Sequence, residues 1–150
     1  MEVKKLNIVD KMPMSIDSLQ FTDIRSCWES IKPKIVEILE QDAFPTIRPE
    51  EVYSECVNGR ASLFTSNDGF VILTSEEDAF IEEKTLVIWL GYAYKKGGSL
   101  LVSHKEWFNN IAKELNCQYI VMKTNTEKLS NYFLQSGWQL ESKVFKREVL

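Results

Sequence analysis

A basic turn with two adjacent glycines is the part of the sequence best suited to binding chemistry. It spans residues 91–99 and contains Lys95, Lys96, Gly97 and Gly98. Backbone N–H groups at the start of a helix have no intrahelical partner, and glycines let a ligand approach them because no Cβ intervenes. The two lysines add positive charge. The turn is therefore predicted to bind an anion, with a phosphate-bearing ligand as the first candidate.

The segments on either side place this turn between a strand and a helix. Residues 84–94 are apolar on both alternating faces, which is typical of a central strand that is covered on both sides. Residues 99–115 have apolar positions near helical spacing and are predicted to form an amphipathic helix. The turn would then lie at the carboxyl end of a strand, where open α/β sheets bind their ligands.

The rest of the chain predicts further strands and helices around this unit. Before it we expect a strand at 5–9, helices at 19–30 and 33–41 separated at Pro33, a helix at 49–58, and a β-hairpin of strands 61–65 and 70–75. After it we expect a strand at 119–123, a helix at 126–135 and a last strand at 138–149. This order predicts one α/β (α+β mixed-sheet) domain over residues 1–150. The sheet should be mostly antiparallel, with one right-handed parallel strand–helix–strand crossover at 84–123, flanked by helices.

Composition limits the classes of partner and compartment. The chain has 150 residues and a formal net charge of −4, which argues against nucleic acid as the main partner. Cys27, Cys56 and Cys117 are widely spaced and form no metal-binding pattern, as expected for reduced thiols in the cytoplasm. Neither a signal peptide nor an apolar run of about 20 residues is recognisable, so we expect a soluble protein that does not enter the membrane.

The order of elements and two local motifs resemble the GNAT superfamily of N-acetyltransferases. In that family a loop of the form Gln/Arg-x-x-Gly-x-Gly/Ala binds the pyrophosphate of acyl-CoA. The matching residues here are Tyr94-Lys95-Lys96-Gly97-Gly98-Ser99, which depart from the pattern at both ends. The second match is a later helix that ends in Phe133-Leu134-Gln135-Ser136-Gly137-Trp138, similar to the family's Tyr-x-x-x-Gly-Phe. The resemblance covers about residues 50–150.

This resemblance implies acetyl-CoA as a co-substrate, without a metal, and it implies a set of cofactor-binding residues. Main-chain groups of Leu90, Gly91, Tyr92 and Ala93 would pair with the pantetheine arm. Backbone amides around the turn would hold the pyrophosphate, and the following helix would complete the site. These remaining residues are Lys95, Lys96, Gly97, Gly98, Ser99, Leu100, Asn125 and Phe133.

The catalytic groups are less well marked by the resemblance. The family's general acid is often a tyrosine four residues before the glycine of the later helix, and that position here is Phe133, which has no ionisable proton. Tyr132 is adjacent but is rotated by about 100° along a helix, so Tyr92 and Tyr94 are alternatives. Candidates for the base are Glu82, Glu83, Glu55 and Glu76, with a water-relayed base as a further option. Of all these, Tyr132, Tyr92 and Glu83 form the predicted catalytic set.

Two other expectations concern the only histidine and the function class. His104 is expected to be an ordinary helix position, since no partner is identifiable for it in the sequence.

The main hypothesis is an N-acetyltransferase that moves an acetyl group from acetyl-CoA to an amine of a small molecule, a protein lysine or a protein N-terminus. The alternative is an inactive GNAT-fold protein with a phage structural, virion or host-interaction role, since such proteins also occur in phage genomes. The location would be the bacterial host cytoplasm, or the virion of a phage. The oligomeric state is left open, a homodimer included.

Overall fold

A five-stranded mixed sheet organises the protein. The computed structural model describes residues 18–41, 47–95, 99–122, 133–135, 137–140, 145 and 147–149. Its elements are β1 (Gln20–Phe21), α1 (Ile24–Glu40), α2 (Pro49–Val57), β2 (Ser62–Ser66), β3 (Gly69–Asp78), β4 (Glu83–Ala93), α3 (Leu100–Ser103), α4 (Lys105–Glu114) and β5 (Tyr119–Met122). The strands lie in the order β1-β2-β3-β4-β5. Neighbours are antiparallel except β4 and β5, which are parallel. The predicted fold class is therefore confirmed.

The two faces of the sheet carry separate apolar clusters. Alternate residues of β2 and β3 point to opposite faces, so that each face receives its own set of buried side chains. Leu63, Phe70 and Ile72 pack with buried residues of α1 and α2. Phe64, Val71 and Leu73 pack instead with buried residues of α4. The sheet is therefore covered on both sides, and β4 lies between β3 and β5.

Helix α1 runs through Pro33, contrary to the predicted break into helices at 19–30 and 33–41. A proline inside a helix lacks the N–H that would bond the carbonyl four residues earlier, here that of Glu29. Both residues lie on the exposed side of α1, where water can solvate this carbonyl. The same helix buries Ile24, Ile31 and Ile35 against the sheet. Packing of this face outweighs the local preference of Pro33 for a helix start.

Other predicted elements differ in extent or fall outside the described part of the chain. Residues 20–21 form a strand beside β2 instead of the start of a helix, and the helix predicted at 99–115 is divided into α3 and α4 at His104. The strand predicted at 138–149 is wrong for the described residues of that range, which are irregular. The strand at 5–9 and most of the helix at 126–135 lie outside the described residues, although 133–135 are helical. The predicted hairpin, the helix at 49–58 and the strand at 84–94 are confirmed, as is the strand at 119–123 over its described residues.

No helix in the described ranges is long and apolar enough to cross a membrane.

Candidate functional site

Strand β4 contains a bulge in the middle of its pairing with β3. Ile72 lies opposite Leu90, but the next residue, Leu73, lies opposite Ile88, so Trp89 is an extra residue. A bulge of this kind reverses the side-chain alternation and leaves backbone groups outside the ladder. Accordingly Ile88 packs on the α4 face, whereas Leu90 packs on the α1 face. The bulge could not be predicted from the sequence, because this strand is apolar on both faces.

The end of β4 beyond the bulge has no pairing with β5 among the described residues. The parallel register joins residues 85–88 to residues 119–122 and stops there. Residues 89–93 continue β4, and beyond the bulge residue Trp89 the residues 90–93 are paired with β3 on their other side. Their outward main-chain groups therefore form a strand edge on which an extended, amide-bearing ligand could pair.

The predicted cofactor-binding residues of β4 and α3 lie together around this edge. Leu90 and Leu100 are buried, each in the core of one face, so their side chains serve packing. A Cβ added at Gly91 would meet only Val71 Cγ1, at an ordinary contact distance of 3.8 Å. Lys95 is exposed at the end of the strand, and Ser99 directly precedes α3. Lys96, Gly97 and Gly98 lie outside the described residues.

Tyr92 forms the best-defined polar contact near the end of β4. Its hydroxyl donates a hydrogen bond to Glu37 Oε2 of α1 at 2.8 Å. This bond raises the pKa of Tyr92 above its usual range, and burial and the nearby charges of Glu37 and Tyr94 act in the same direction. The ring stacks on Phe70 with 5.8 Å between centroids, and Lys34 Nζ lies 5.3 Å from the Tyr92 centroid. Tyr92 is therefore a neutral phenol in a cluster of aromatic and charged groups.

Two of the three predicted catalytic residues, Glu83 and Tyr92, are not brought together. Glu83 begins β4 and Tyr92 lies nine residues later in the same strand, which corresponds to about 30 Å at the usual rise per residue. Glu83 is paired with Asp78 at the opposite end of the sheet. Tyr132 lies outside the described residues. The structure instead places Glu37 beside Tyr92, a carboxylate that sequence spacing could not single out because the two residues are 55 positions apart.

Two further predicted cofactor-binding residues belong to the later helix. Asn125 lies outside the described residues. Phe133 is buried, and its ring contacts that of Trp138 with 5.0 Å between centroids. Trp138 in turn packs against the apolar cluster on the α4 face. Phe133 thus fills a core position at which members of the GNAT superfamily often have a tyrosine.

A buried histidine with a carboxylate partner lies next to the same strand end. His104 Nε2 is 3.0 Å and 3.1 Å from the two carboxylate oxygens of Asp68, in the turn between β2 and β3. Ser66 Oγ donates a hydrogen bond to one of these oxygens. Burial alone raises the pKa of Asp68, but the hydrogen bonds from Ser66 and His104 outweigh it, so the pKa lies below its usual value. The expectation that His104 is an ordinary helix position overlooked this partner, which is 36 residues away in the sequence.

The architecture matches solved acetyltransferase structures over almost their whole length. With the ribosomal-protein-alanine N-acetyltransferase of Brucella melitensis biovar Abortus, the TM-score is 0.64 at 12% identity, covering 88% of this chain and 99% of that one. With an acetyltransferase of Trypanosoma brucei the TM-score is 0.63 at 10% identity, with coverage of 88% and 99%. This chain has the GNAT acetyltransferase fold. An aminoglycoside acetyltransferase from an uncultured soil metagenomic sample, solved with sisomicin, has the same GNAT fold with a TM-score of 0.60 at 10% identity, covering 89% of this chain and 95% of that one.

No family model and no curated protein matches the sequence. The GNAT fold is therefore established by structure alone, and it confirms the resemblance inferred from the order of elements. In the described residues, the irregular features of β4 in this GNAT fold are the bulge at Trp89 and the end of its pairing with β5 after Ile88.

Proposed function

We propose that this protein is an acyl-CoA-dependent N-acetyltransferase that moves the acetyl group of acetyl-CoA to an amine. The observation that carries the proposal is the second half of β4, where a bulge at Trp89 precedes an edge with no described partner on the β5 side. The pantetheine arm of coenzyme A contains two amide groups and can pair with such an edge as an added strand would. Free N–H groups near the bulge are candidates to bind the thioester oxygen as charge develops on it.

The pyrophosphate is assigned to the turn that follows this edge. Lys95 and Ser99 are its described flanks, and the assignment of Lys96, Gly97 and Gly98 rests on the sequence pattern. Together the edge and the turn would hold the two halves of coenzyme A in one continuous path. Such a path fixes the thioester relative to the sheet, which is the main requirement for transfer between two bound reactants.

The reaction needs one proton acceptor and one proton donor. The amine nitrogen attacks the thioester carbonyl carbon, the carbon–sulfur bond breaks, and the products are an N-acetyl amine and the thiol of coenzyme A. The amine must first lose a proton, and the leaving thiolate gains one. We assign these roles to Glu37 as acceptor and Tyr92 as donor, because they form a direct hydrogen bond beside the end of β4. Tyr132 stays a candidate donor from the sequence.

The acceptor amine is assigned to the α1 side of β4. The rings of Phe70, Tyr92 and Tyr94 lie within 6.4 Å of one another there, and the ammonium of Lys34 already lies over two of them. Aromatic faces attract cations, so a protonated amine suits this surface. Among the structural neighbours, one is named for acetylating the alanine of a ribosomal protein and one was solved with the aminoglycoside sisomicin. Both peptide N-termini and aminoglycosides therefore belong in an acceptor panel.

The decisive experiment is isothermal titration with acetyl-CoA. We expect saturable binding in the wild type and its loss in Gly97→Glu, because a carboxylate would repel the pyrophosphate. The matched variant Gly97→Lys adds a side chain of similar size with the opposite charge and should retain binding. Absence of heat with the wild type at millimolar acetyl-CoA would rule the function out. Equal loss in both variants would mean that bulk, not charge, disrupts the turn.

A non-catalytic protein of the same fold is the second candidate, and the environment of Phe133 favours it. This residue is buried against Trp138 and has no proton to donate, at the position where the resembled family often has its acid. A GNAT fold can be retained without its chemistry. Under this alternative, which includes a virion or host-interaction role, no amine in the panel is acetylated, whether or not acetyl-CoA binds. Release of free thiol with any acceptor, abolished by Gly97→Glu, excludes it.

A further inference from the structure

We propose that Asp68 is a positioning residue that fixes both flanks of the turn at residues 94–99. It acts through its backbone carbonyl and through its side-chain carboxylate. Its backbone carbonyl accepts a hydrogen bond from the N–H of Tyr94 at 2.9 Å, at the end of β4. Its carboxylate accepts from His104, at the junction of α3 and α4. The two partners lie on opposite sides of the turn in the sequence, so Asp68 determines how far apart the flanks are held.

The carboxylate contact is anchored on the histidine side. His104 is buried, and its own backbone connects the two helices: its N–H donates to the Leu100 carbonyl at 2.9 Å, and its carbonyl accepts from Phe108 N–H at 3.1 Å. Because an ionised carboxylate only accepts hydrogen bonds, Nε2 must carry the hydrogen in this pair. A movement of Asp68 would therefore be transmitted to the first turns of both α3 and α4.

The turn between β2 and β3 is packed closely against these partners. Ser66 Oγ donates to the Asp68 carboxylate from the other side of the turn. Next to Asp68, a Cβ on Gly69 would be only 2.0 Å from the Tyr92 carbonyl oxygen and 3.1 Å from Leu100 Cδ1. The backbone of this turn thus lies directly against both β4 and α3. We call the contacts of Asp68 with Tyr94 and His104 the Asp68 clamp.

The Asp68 clamp should affect the binding of coenzyme A at the turn. This part of the inference rests on the proposed function. Phosphate binding by backbone amides requires them to be held at fixed positions, since small displacements weaken several hydrogen bonds at once. Asp68 itself lies outside the path assigned to coenzyme A. Its removal should therefore weaken acetyl-CoA binding indirectly, by releasing the ends of the turn, without removing any ligand contact.

Hydrogen exchange tests the clamp independently of any ligand. In Asp68→Ala, the backbone carbonyl that accepts from Tyr94 remains, but the carboxylate link between this turn and His104 is lost. The amides of Tyr94, Ser103 and His104 should therefore exchange faster than in the wild type, because the two flanks are no longer tied to each other. His104→Leu should have the same effect, whereas His104→Gln keeps a side-chain N–H donor and should restore slow exchange. Asp78→Ala is the matched control, since it removes a carboxylate at the last residue of β3, which accepts from Phe80 N–H at 2.9 Å at the opposite end of the sheet.

Titration with acetyl-CoA then tests the role of the clamp at the site. We expect Asp68→Ala and His104→Leu each to weaken binding roughly tenfold or more, and the double variant to be no worse than either single variant, because both act through one contact. Unchanged exchange at Tyr94 and His104 in Asp68→Ala would overturn the clamp. Faster exchange with wild-type affinity would overturn its role at the site. If the wild type itself does not bind acetyl-CoA, the proposed function fails and the exchange rates alone decide whether the clamp exists.

Discussion

At the scale of single residues, the hydrogen bond between Tyr92 and Glu37 is the contact on which proton transfer depends. We predict that Tyr92→Phe and Glu37→Gln each lower kcat by about 10²-fold, the lower end of the usual range for acid–base catalysis. KM for acetyl-CoA should hardly change, because neither side chain is assigned to the coenzyme. Steady-state kinetics with a thiol-release assay measures both constants.

Two further variants make this prediction specific. Glu40→Gln removes a carboxylate one helical turn further along α1 and should leave kcat unchanged. Tyr94→Phe tests the other tyrosine at this strand end, whose hydroxyl was an alternative donor. A full loss of kcat in Tyr94→Phe with normal turnover in Tyr92→Phe would transfer the acid role to Tyr94.

Gly69 shows how closely the turn between β2 and β3 approaches β4. A Cβ there would lie 2.0 Å from the Tyr92 carbonyl oxygen, so backbone must shift to admit it. We predict that Gly69→Ala destabilises the fold by about 1–3 kcal/mol, which corresponds to a fall in Tm of roughly 2–4 °C per kcal/mol for a domain of this size. Gly91→Ala is the control, because its added Cβ would have ordinary contact at 3.8 Å. Equal melting temperatures of the two variants would contradict the close approach.

At the scale of helices and strands, the sequence predicted the elements that neighbouring residues determine. It missed the features that depend on pairing between distant parts of the chain. The hairpin was predictable because Ser66, Asn67, Asp68 and Gly69 encode the turn by themselves. Strand β1 was missed because residues 20–21 are strand only through pairing with residues 64–65. The bulge at Trp89 leaves no trace in a strand that is apolar on both faces.

The candidate site follows the same rule. Its strand end and turn lie in one stretch of sequence and could be located there. The pairs Tyr92–Glu37 and Asp68–His104 join residues 55 and 36 positions apart, so only the fold could reveal them.

Helix α1 provides a test of the competition between propensity and packing. Pro33 lies inside it on the exposed side, where it forfeits a backbone hydrogen bond. We predict that Pro33→Ala stabilises the protein, by up to about 3 kcal/mol on the helix-propensity scale, less the entropy that proline removes from the unfolded chain. Chemical denaturation measures the gain. Lys32→Ala, at the preceding exposed position, should change stability by no more than about 0.5 kcal/mol. A loss of stability in Pro33→Ala would indicate that the proline is needed for the course of the helix.

At the scale of the whole molecule, the proposed ligand path lies along a strand that both cores hold in place. Leu86 and Ile88 anchor β4 in the α4-side cluster, and Leu90 anchors it in the α1-side cluster. The path therefore exists only when both layers are assembled on the sheet. A ligand that needs the assembled path binds the native state and not the unfolded chain, and so must raise the free energy of unfolding.

This linkage predicts a thermal shift whose size follows from the ligand concentration. At 100 times its Kd, acetyl-CoA should stabilise the native state by about 2.7 kcal/mol, and so raise Tm by roughly 5–10 °C for a domain of this size. The shift should grow by a constant increment for each tenfold increase in concentration, as expected for one site. Acetyl phosphate, which has an acyl group and a phosphate but no pantetheine arm, should give no comparable shift. Since the strand edge is assigned to that arm, an equal shift with acetyl phosphate would mean that the site binds a simple anion and that residues 89–93 do not hold the ligand.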